Sequence, residues 1–157
     1  MKDDVEVCED GNVVSGDGCS STCITETGYT CFGGGFSNKD TCYETCGDGV
    51  VFSSTICDDG NAIDGDGCDE RCNIETGYTC TGSPSVCSVT CGDSIKVGSE
   101  VCDDGNVFSG DGCTSLCKLE SGYTCVGGTI NSKDTCTEIC GDGLDFGNDG
   151  CDDGNIV

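Results

Sequence analysis

The fold is decided by the stretch Cys102-Asp103-Asp104-Gly105-Asn106-x3-Gly110-Asp111-Gly112-Cys113-x3-Cys117. Nearly the same order of residues begins at Cys8 and at Cys57, and its first part begins again at Cys151. The first cysteines of successive copies lie 49, 45 and 49 residues apart. Because periods of roughly 20 to 50 residues are typical of repeat proteins, the sequence predicts a tandem array.

The spacing of the cysteines defines four predicted repeats. The gaps between cysteines run 11, 4, 8, 11, 4, 11 in the first and third copies, and the second copy has 7 in place of the second 11. The shorter gap suggests that long and short copies alternate. The predicted repeats are 1–46, 47–91, 92–140 and the start of a fourth at 141–157.

Cys151 is left over once eighteen of the 19 cysteines fill three copies of six. In an oxidising setting such a residue implies either a partner outside the chain or a free thiol. Both ends of the sequence fall within a repeat, so we expect a segment of a longer array.

The high cysteine content indicates a disulfide scaffold from an extracellular, oxidising environment, since 19 of 157 residues are cysteine. Zinc or another soft metal bound by thiolates is the alternative. The close pairs are all Cys-x3-Cys and the chain has no histidine, which favours disulfides. The pairing stays open, because six cysteines allow 15 connectivities.

The charge and composition exclude several classes of protein. With 30 acidic and 6 basic residues the net charge is −24, which argues against binding to nucleic acids or anionic membranes. No apolar run approaches the roughly 20 residues that span a bilayer. Without histidine, the commonest general base is missing. We therefore predict that the chain is not an enzyme.

Glycine and aspartate dominate the segments between cysteines, and this pattern predicts tight turns. Short strands are expected at Val50–Phe52, Tyr78–Thr79 and Val107–Phe108, and single helical turns at Thr22–Ile24 and Leu116–Leu119. The predicted fold is therefore small, disulfide-rich and mostly irregular, an elongated tandem-repeat array with short β-hairpins.

Carboxylate, amide and carboxylate side chains recur at the same three offsets in every complete copy, on loops interrupted by glycine. Such oxygen donors suit calcium, although the loops are not EF-hands, and magnesium is the weaker candidate. The alternative is that these residues only form turns. The predicted ligands are Asp10, Asn12, Asp17, Glu26, Asp48, Asp59, Asn61, Asp66, Glu75, Asp93, Asp104, Asn106, Asp111, Glu120 and Asp142.

The complete pattern, from Cys-Gly-Asp-Gly through Glu-x-Cys-Asp-Asp-Gly-Asn to Glu-x-Gly-Tyr-x-Cys, resembles the Myxococcus-type cysteine-rich disulfide repeat. It also looks related to the Notch-type repeats of pappalysins and to repeats in algal flagellar-hair proteins. Glu9 departs from the first aspartate of the pattern. The resemblance implies an extracellular, disulfide-bonded, calcium-binding repeat without catalytic activity.

Two functions are compatible with these features. The first is a structural, non-catalytic building block of an extracellular filament or surface appendage, assembled head to tail or laterally from copies of itself. The second is a calcium-dependent recognition module of a larger secreted protease or receptor. The serine and threonine residues can carry O-glycans, whereas no N-glycosylation sequon is present.

Overall fold

The computed structural model describes residues 6–52 and 56–144. The leftover Cys151 and most of the predicted fourth repeat lie outside them. The described residues contain no helix, and so none that is long and apolar enough to cross a membrane. Six short strands are present: β1 Tyr29–Phe32, β2 Thr41–Glu44, β3 Tyr78–Thr81, β4 Val86–Val89, β5 Tyr123–Val126 and β6 Thr135–Glu138.

The strands form three two-stranded antiparallel hairpins, one in each of the first three repeats. In the first hairpin Cys31 lies directly opposite Cys42, and the two residues form a disulfide. Cys125 and Cys136 repeat this arrangement in the third. An isolated hairpin is marginally stable in water, and the cross-strand disulfide supplies the missing constraint.

Of the predicted strands, only Tyr78–Thr79 is confirmed, as part of β3. Val50–Phe52 and Val107–Phe108 are not strands, because side chains two residues earlier in the chain accept backbone N–H groups of these segments. The N–H of Val50 donates to Asp48, and the N–H of Phe108 donates to Asn106. These segments therefore follow local turns and have no ladder partner.

The predicted helical turns are tight non-helical turns instead. Cys23 and Cys117 adopt φ of 60° and 53°, in the left-handed region. Their N–H groups donate to the carbonyls of Ser20 and Thr114, three residues earlier. The reversal of φ ends the helical path after a single turn.

The disulfides follow one rule along the chain. The first cysteine of each repeat pairs with the second, as in Cys8–Cys19 and Cys102–Cys113. The fourth pairs with the fifth across the hairpin. The last cysteine of one repeat pairs with the third of the next, giving Cys46–Cys72 and Cys91–Cys117. The further pair of the first type is Cys57–Cys68, and Cys80 and Cys87 are also disulfide-bonded.

The buried interior consists of half-cystines and hydrogen-bonded carboxylates rather than aliphatic side chains. Among the described residues the buried apolar side chains are cysteines and Tyr123, whereas many aliphatic side chains are exposed. The buried charged side chains are Asp40, Asp58, Glu100, Asp103, Asp104 and Asp134. Burying a charged carboxylate costs free energy unless it is hydrogen-bonded. The hydrogen bonds from backbone N–H groups to these carboxylates therefore stabilise the interior. This is the predicted small, irregular, disulfide-rich repeat array.

The chain divides into two compact units. The first comprises the chain up to Asp64 together with Cys68–Ile74 and Cys80–Val86. The second comprises Gly65–Gly67, Glu75–Thr79 and the chain from Cys87 onward. The first unit contains the disulfide Cys46–Cys72 and the second contains Cys91–Cys117, so each holds one link between successive repeats.

Candidate metal centre

The loop between Cys102 and Cys113 carries the best-defined group of predicted ligands. The disulfide between these residues closes the loop into a ring. Gly110 and Gly112, near its end, donate backbone hydrogen bonds of 2.7 and 2.9 Å to the carboxylate of Glu120. Glu120 thus shapes the loop, and both of its oxygens are engaged with backbone N–H groups.

Asp104, Asn106 and Asp111 come together on this loop. The amide nitrogen of Asn106 donates to a carboxylate oxygen of Asp111 at 2.9 Å. Asp104 accepts from the backbone N–H of Asn106 at 3.2 Å. Two carboxylates and one amide therefore lie on one loop, and the amide oxygen of Asn106 accepts from the N–H of Phe108 at 2.7 Å. Carboxylate and amide oxygens are donors of the kind that calcium prefers. We call these three residues the third-repeat cluster.

Asp104 is buried, with 7 % of its surface exposed. Burial and the neighbouring carboxylate of Asp111 raise the pKa of Asp104 above its ordinary value. Because neighbouring carboxylates repel each other when both are charged, a cation bound between them is favoured. The ammonium group of Lys133 lies beside them and donates to the backbone carbonyl of Asp104 at 2.9 Å. The same residues line a shallow cleft with Asp134.

The first repeat contains the same arrangement at the surface. The amide nitrogen of Asn12 donates to Asp10 at 3.1 Å and to Asp17 at 2.8 Å. Glu26 accepts from the N–H groups of Gly16 and Gly18, as Glu120 does in the third repeat. The predicted ligands of this repeat are therefore brought together in a more exposed form.

In the second repeat the structure places the same residue types on the same kinds of turn. Asp59 accepts from the N–H of Asn61 at 3.2 Å, and both residues belong to the first unit. Asp66 and Glu75 belong to the second unit, where Glu75 accepts from the N–H of Gly67 at 2.7 Å.

Asp48, Asp93 and Asp142 are the remaining predicted ligands. Each accepts a 2.9 Å hydrogen bond from the backbone N–H two residues later, which belongs to Val50, Ile95 and Leu144 respectively. These carboxylates form Asx-turns that shape the Cys-Gly-Asp loops. In the structure these three carboxylates shape turns, as the alternative interpretation of the acidic residues predicts.

Asp58 and Asp103, which the sequence analysis did not single out, are the most deeply buried carboxylates. Asp103 accepts from the N–H groups of Gly92 at 2.7 Å, Ser94 at 3.1 Å and Gly105 at 2.8 Å. Asp58 does the same in the preceding repeat. The sequence signal is the residue after the first cysteine of each repeat, which is Asp58 in the second repeat and Asp103 in the third but Glu9 in the first.

Asp40 and Asp134 form a second set of buried carboxylates that the sequence did not reveal. Asp134 accepts from the N–H groups of Asp103 at 3.0 Å and Gly128 at 2.8 Å, and pairs with Lys96 at 3.0 Å. Asp40 accepts from Glu9 and Gly34 in the same way. Both residues end the longer hairpin loop and fasten it to the first cysteine segment of their repeat.

Two groups of cysteine and acidic side chains also lie close together. One contains Glu100 and Asp103 beside Cys91 and Cys117, but these cysteines form a disulfide and offer no thiolate. The other contains Glu6, Glu9 and the free thiol of Cys23. Burial, followed by the hydrogen bond and the charge of Glu6, raises the pKa of the Cys23 thiol. A protonated thiol is a poor ligand for a metal ion.

The sequence model of one protein family matches two stretches of the chain. This family is described as a domain of unknown function (DUF4215), and it matches residues 28–73 and 75–118, more than half of the chain. No curated protein sequence matches the chain. The two matches are consecutive, which agrees with the tandem repetition of the hairpins and disulfides.

Proposed function

The chain belongs to the DUF4215 family, and we propose that it is a non-catalytic structural segment of an extracellular filament or surface appendage. The observation that carries this proposal is the covalent link between successive repeats, made by Cys46–Cys72 and Cys91–Cys117. A disulfide that joins neighbouring repeats limits their separation under tension. Such a link suits a segment of a filament or surface coat, which carries tension along its length.

The number of disulfides supports the extracellular setting of this proposal, because such bonds persist in oxidising compartments. Electron microscopy of the purified protein under oxidising conditions tests it. Fibres or end-to-end particles are the expected result. Isolated globular particles at every concentration and calcium level would contradict the filament role.

We further propose that calcium stabilises the fold through the third-repeat cluster and its counterpart at Asp10, Asn12 and Asp17. The support is the chemistry of the donor set, together with the mutual repulsion of Asp104 and Asp111, which a divalent cation relieves. Isothermal titration with calcium chloride and thermal melts with and without a chelator test this.

A variant that carries Asp104→Asn and Asp111→Asn should lose one binding event and part of the calcium-dependent rise in melting temperature. Glu70→Gln is the control, because Glu70 is exposed and forms an ion pair with Arg71 at the surface. An unchanged titration curve for the double variant would reject the third-repeat cluster as a calcium site.

The second candidate is a calcium-dependent recognition module of a larger secreted protease or receptor. It is favoured by an exposed aromatic pair on the first hairpin, where the rings of Phe32 and Tyr43 stack with centroids 5.3 Å apart. Both side chains are more than half exposed. Phe32→Ser with Tyr43→Ser should leave fibre formation intact if the structural role holds, and should abolish partner binding if recognition is the function.

A further inference from the structure

Every complete repeat contains an Asp-Gly pair at each of two equivalent places, and Asp-Gly is the dipeptide at which aspartate rearranges most readily. Glycine favours the rearrangement because its backbone nitrogen, with no side chain beside it, approaches the aspartate carboxyl group without hindrance. The pairs before the second cysteine are Asp17-Gly18, Asp66-Gly67 and Asp111-Gly112, and those after the first cysteine are Asp10-Gly11, Asp59-Gly60 and Asp104-Gly105.

The rearrangement is an internal condensation that needs no other reactant. The glycine nitrogen bonds to the side-chain carbon Cγ of the aspartate and loses its proton, the carboxyl group loses a hydroxyl, and the products are water and a five-membered succinimide ring. Water then adds at one of the two ring carbonyls. Cleavage of the bond to Cγ restores aspartate, whereas cleavage of the bond to the main-chain carbonyl carbon gives isoaspartate, which lengthens the backbone by one carbon.

The glycine of the pair before the second cysteine is fixed by packing against the hairpin. A β-carbon on this glycine would overlap the β-carbon of the hairpin's second cysteine and approach the ring of its tyrosine. The contacts are Gly18 with Cys42 and Tyr29, Gly67 with Cys87 and Tyr78, and Gly112 with Cys136 and Tyr123. The fold therefore requires the glycine, and protection of the aspartate has to come from another residue.

A glutamate nine residues after the aspartate holds the nitrogen that would attack. In the third repeat the N–H of Gly112 donates to the carboxylate of Glu120 at 2.9 Å. The equivalent hydrogen bonds are Gly18 to Glu26 at 3.0 Å and Gly67 to Glu75 at 2.7 Å. The same bond thus occurs in all three complete repeats.

This hydrogen bond opposes the condensation for two reasons. It has to break before the nitrogen can turn towards Cγ, and hydrogen bonds to charged acceptors are the stronger ones. The nitrogen also has to give up its proton, which a neighbouring carboxylate disfavours because two negative charges would then lie together. Carboxylates are far too weak as bases to take the proton of a peptide N–H themselves.

The carboxylate of the pair is also held by another residue in the first and third repeats. The amide nitrogen of Asn106 donates to Asp111 at 2.9 Å, and that of Asn12 donates to Asp17 at 2.8 Å. Both reacting groups of these pairs are therefore engaged outside the pair.

The pair after the first cysteine has a different partner, the acidic residue directly before it. The N–H of Gly105 donates to Asp103 at 2.8 Å, and the equivalent bonds are Gly60 to Asp58 and Gly11 to Glu9, both at 3.0 Å. Because this partner is not the glutamate of the other pair, the two pairs of one repeat can be tested separately.

We propose that the glutamate of each repeat suppresses isoaspartate formation at the aspartate before its glycine partner. The aspartates and their protecting residues are Asp17 with Glu26, Asp66 with Glu75, and Asp111 with Glu120. The inference rests neither on filament assembly nor on calcium, because the hydrogen bonds that carry it join groups of one repeat.

The variants Glu120→Ala and Glu75→Ala test the proposal in the full chain. They are kept for several weeks at neutral pH and body temperature in calcium-free buffer, beside the parent and Glu70→Ala, which changes an exposed side chain. Isoaspartate at each pair is measured after proteolysis by chromatography with electron-transfer fragmentation, which distinguishes isoaspartate from aspartate of equal mass.

Glu120→Ala should raise the rate of isoaspartate formation at Asp111 about tenfold, since one charge-assisted hydrogen bond no longer has to break. Glu75→Ala should have the same effect at Asp66 and none at Asp111. The pair Asp104-Gly105 is the internal reference in both variants, because Asp103 holds its glycine nitrogen. Glu70→Ala should match the parent at every pair.

An unchanged or slower rate at Asp111 in Glu120→Ala would overturn the proposal. A rise at every Asp-Gly pair would show that the alanine variant has lost its fold, and Glu120→Gln, which keeps the shape of the side chain without its charge, then gives the comparison. Glu120→Gln should raise the rate at Asp111 about threefold and leave Asp104 unchanged. Equal rates at Asp111 in Glu120→Gln and the parent would also overturn the proposal.

Discussion

Asp103 accepts a 2.7 Å hydrogen bond from the backbone N–H of Gly92, the residue that follows the last half-cystine of the preceding repeat. The disulfide Cys91–Cys117 makes the covalent link at the same place. A fully buried carboxylate and a disulfide therefore fasten the same loop. Asp58 and Gly47 repeat the hydrogen bond in the preceding repeat, with a length of 2.9 Å.

Asp103→Asn should destabilise the chain strongly. An asparagine keeps the oxygen that faces Ser94 and Gly105, but it places an NH2 group against the N–H of Gly92. Losing the charge and one buried acceptor should lower the free energy of unfolding by about 3 kcal/mol. Urea denaturation under non-reducing conditions measures the change.

Asp93→Asn is the matched control, since an asparagine forms the same Asx-turn that Asp93 makes with Ile95. In calcium-free buffer this variant should unfold within about 0.5 kcal/mol of the parent. Equal losses of unfolding free energy in the two variants would show that the buried hydrogen bonds of Asp103 stabilise the fold no more than the turn of Asp93 does.

Gly112→Ala and Gly110→Ala separate packing from backbone strain at two neighbouring glycines. Their φ values are 116° and 100°, so a side chain is strained at both positions. A methyl group at Gly112 would also overlap the β-carbon of Cys136 and approach the ring of Tyr123, whereas at Gly110 it would meet open space. We expect losses of about 3 kcal/mol or more at Gly112 and about 1 kcal/mol at Gly110, measured by chemical denaturation. Similar losses at both positions would contradict the packing argument.

The sequence was sufficient to predict the repeats and the class of fold, because both depend on spacing. Gaps between cysteines and turn-forming glycines are local quantities, and they set the closed loops and the three hairpins. The bond between the last cysteine of one repeat and the third of the next was not predictable. It spans 26 residues in both copies, and spacing alone gives no preference among pairings at such distances.

The roles of the acidic residues were harder to predict for a related reason. A carboxylate looks the same in sequence whether it faces solvent, a cation or backbone N–H groups. Glu120 was predicted as a ligand and accepts from two glycines, whereas Asp103 was overlooked and is fully buried. Which partner a carboxylate finds depends on how the disulfides bring distant loops together.

Lys133→Met should strengthen calcium binding at the third-repeat cluster. The Lys133 ammonium group donates to the backbone carbonyl of Asp104 and shares a cleft with Asn106 and Asp111. An incoming divalent cation would be repelled by this charge, and removing it should raise the affinity about fivefold, roughly 1 kcal/mol. Titration calorimetry of the variant against the parent measures the change. Lys118→Met, which removes an exposed lysine from a turn, should leave the affinity unchanged, and a gain of equal size there would show a general charge effect.

Glu100→Gln should stabilise the chain at neutral pH and have little effect in acid. Burial is the main reason why the pKa of Glu100 is raised, and the carboxylates of Asp103 and Asp93 add to it, whereas the hydrogen bond from the N–H of Val97 and the charge of Lys96 oppose it. The folded state therefore binds a proton more readily than the unfolded state, and its stability falls as the pH rises from the unfolded towards the folded pKa of Glu100. A glutamine carries no charge and keeps an oxygen for the N–H of Val97.

The gain from Glu100→Gln should therefore appear above the folded pKa of Glu100 and disappear below the ordinary pKa of a glutamate, where the parent carboxyl is protonated in both states. A rise in melting temperature of about 3 °C at pH 7 is expected, the shift that about 1 kcal/mol produces in a chain of this size. Melts at pH 7 and pH 3.5 in calcium-free buffer make the comparison, with the exposed Glu70→Gln as the control. A gain of the same size at both pH values would mean that the substitution acts through packing beside the Cys91–Cys117 disulfide and not through charge.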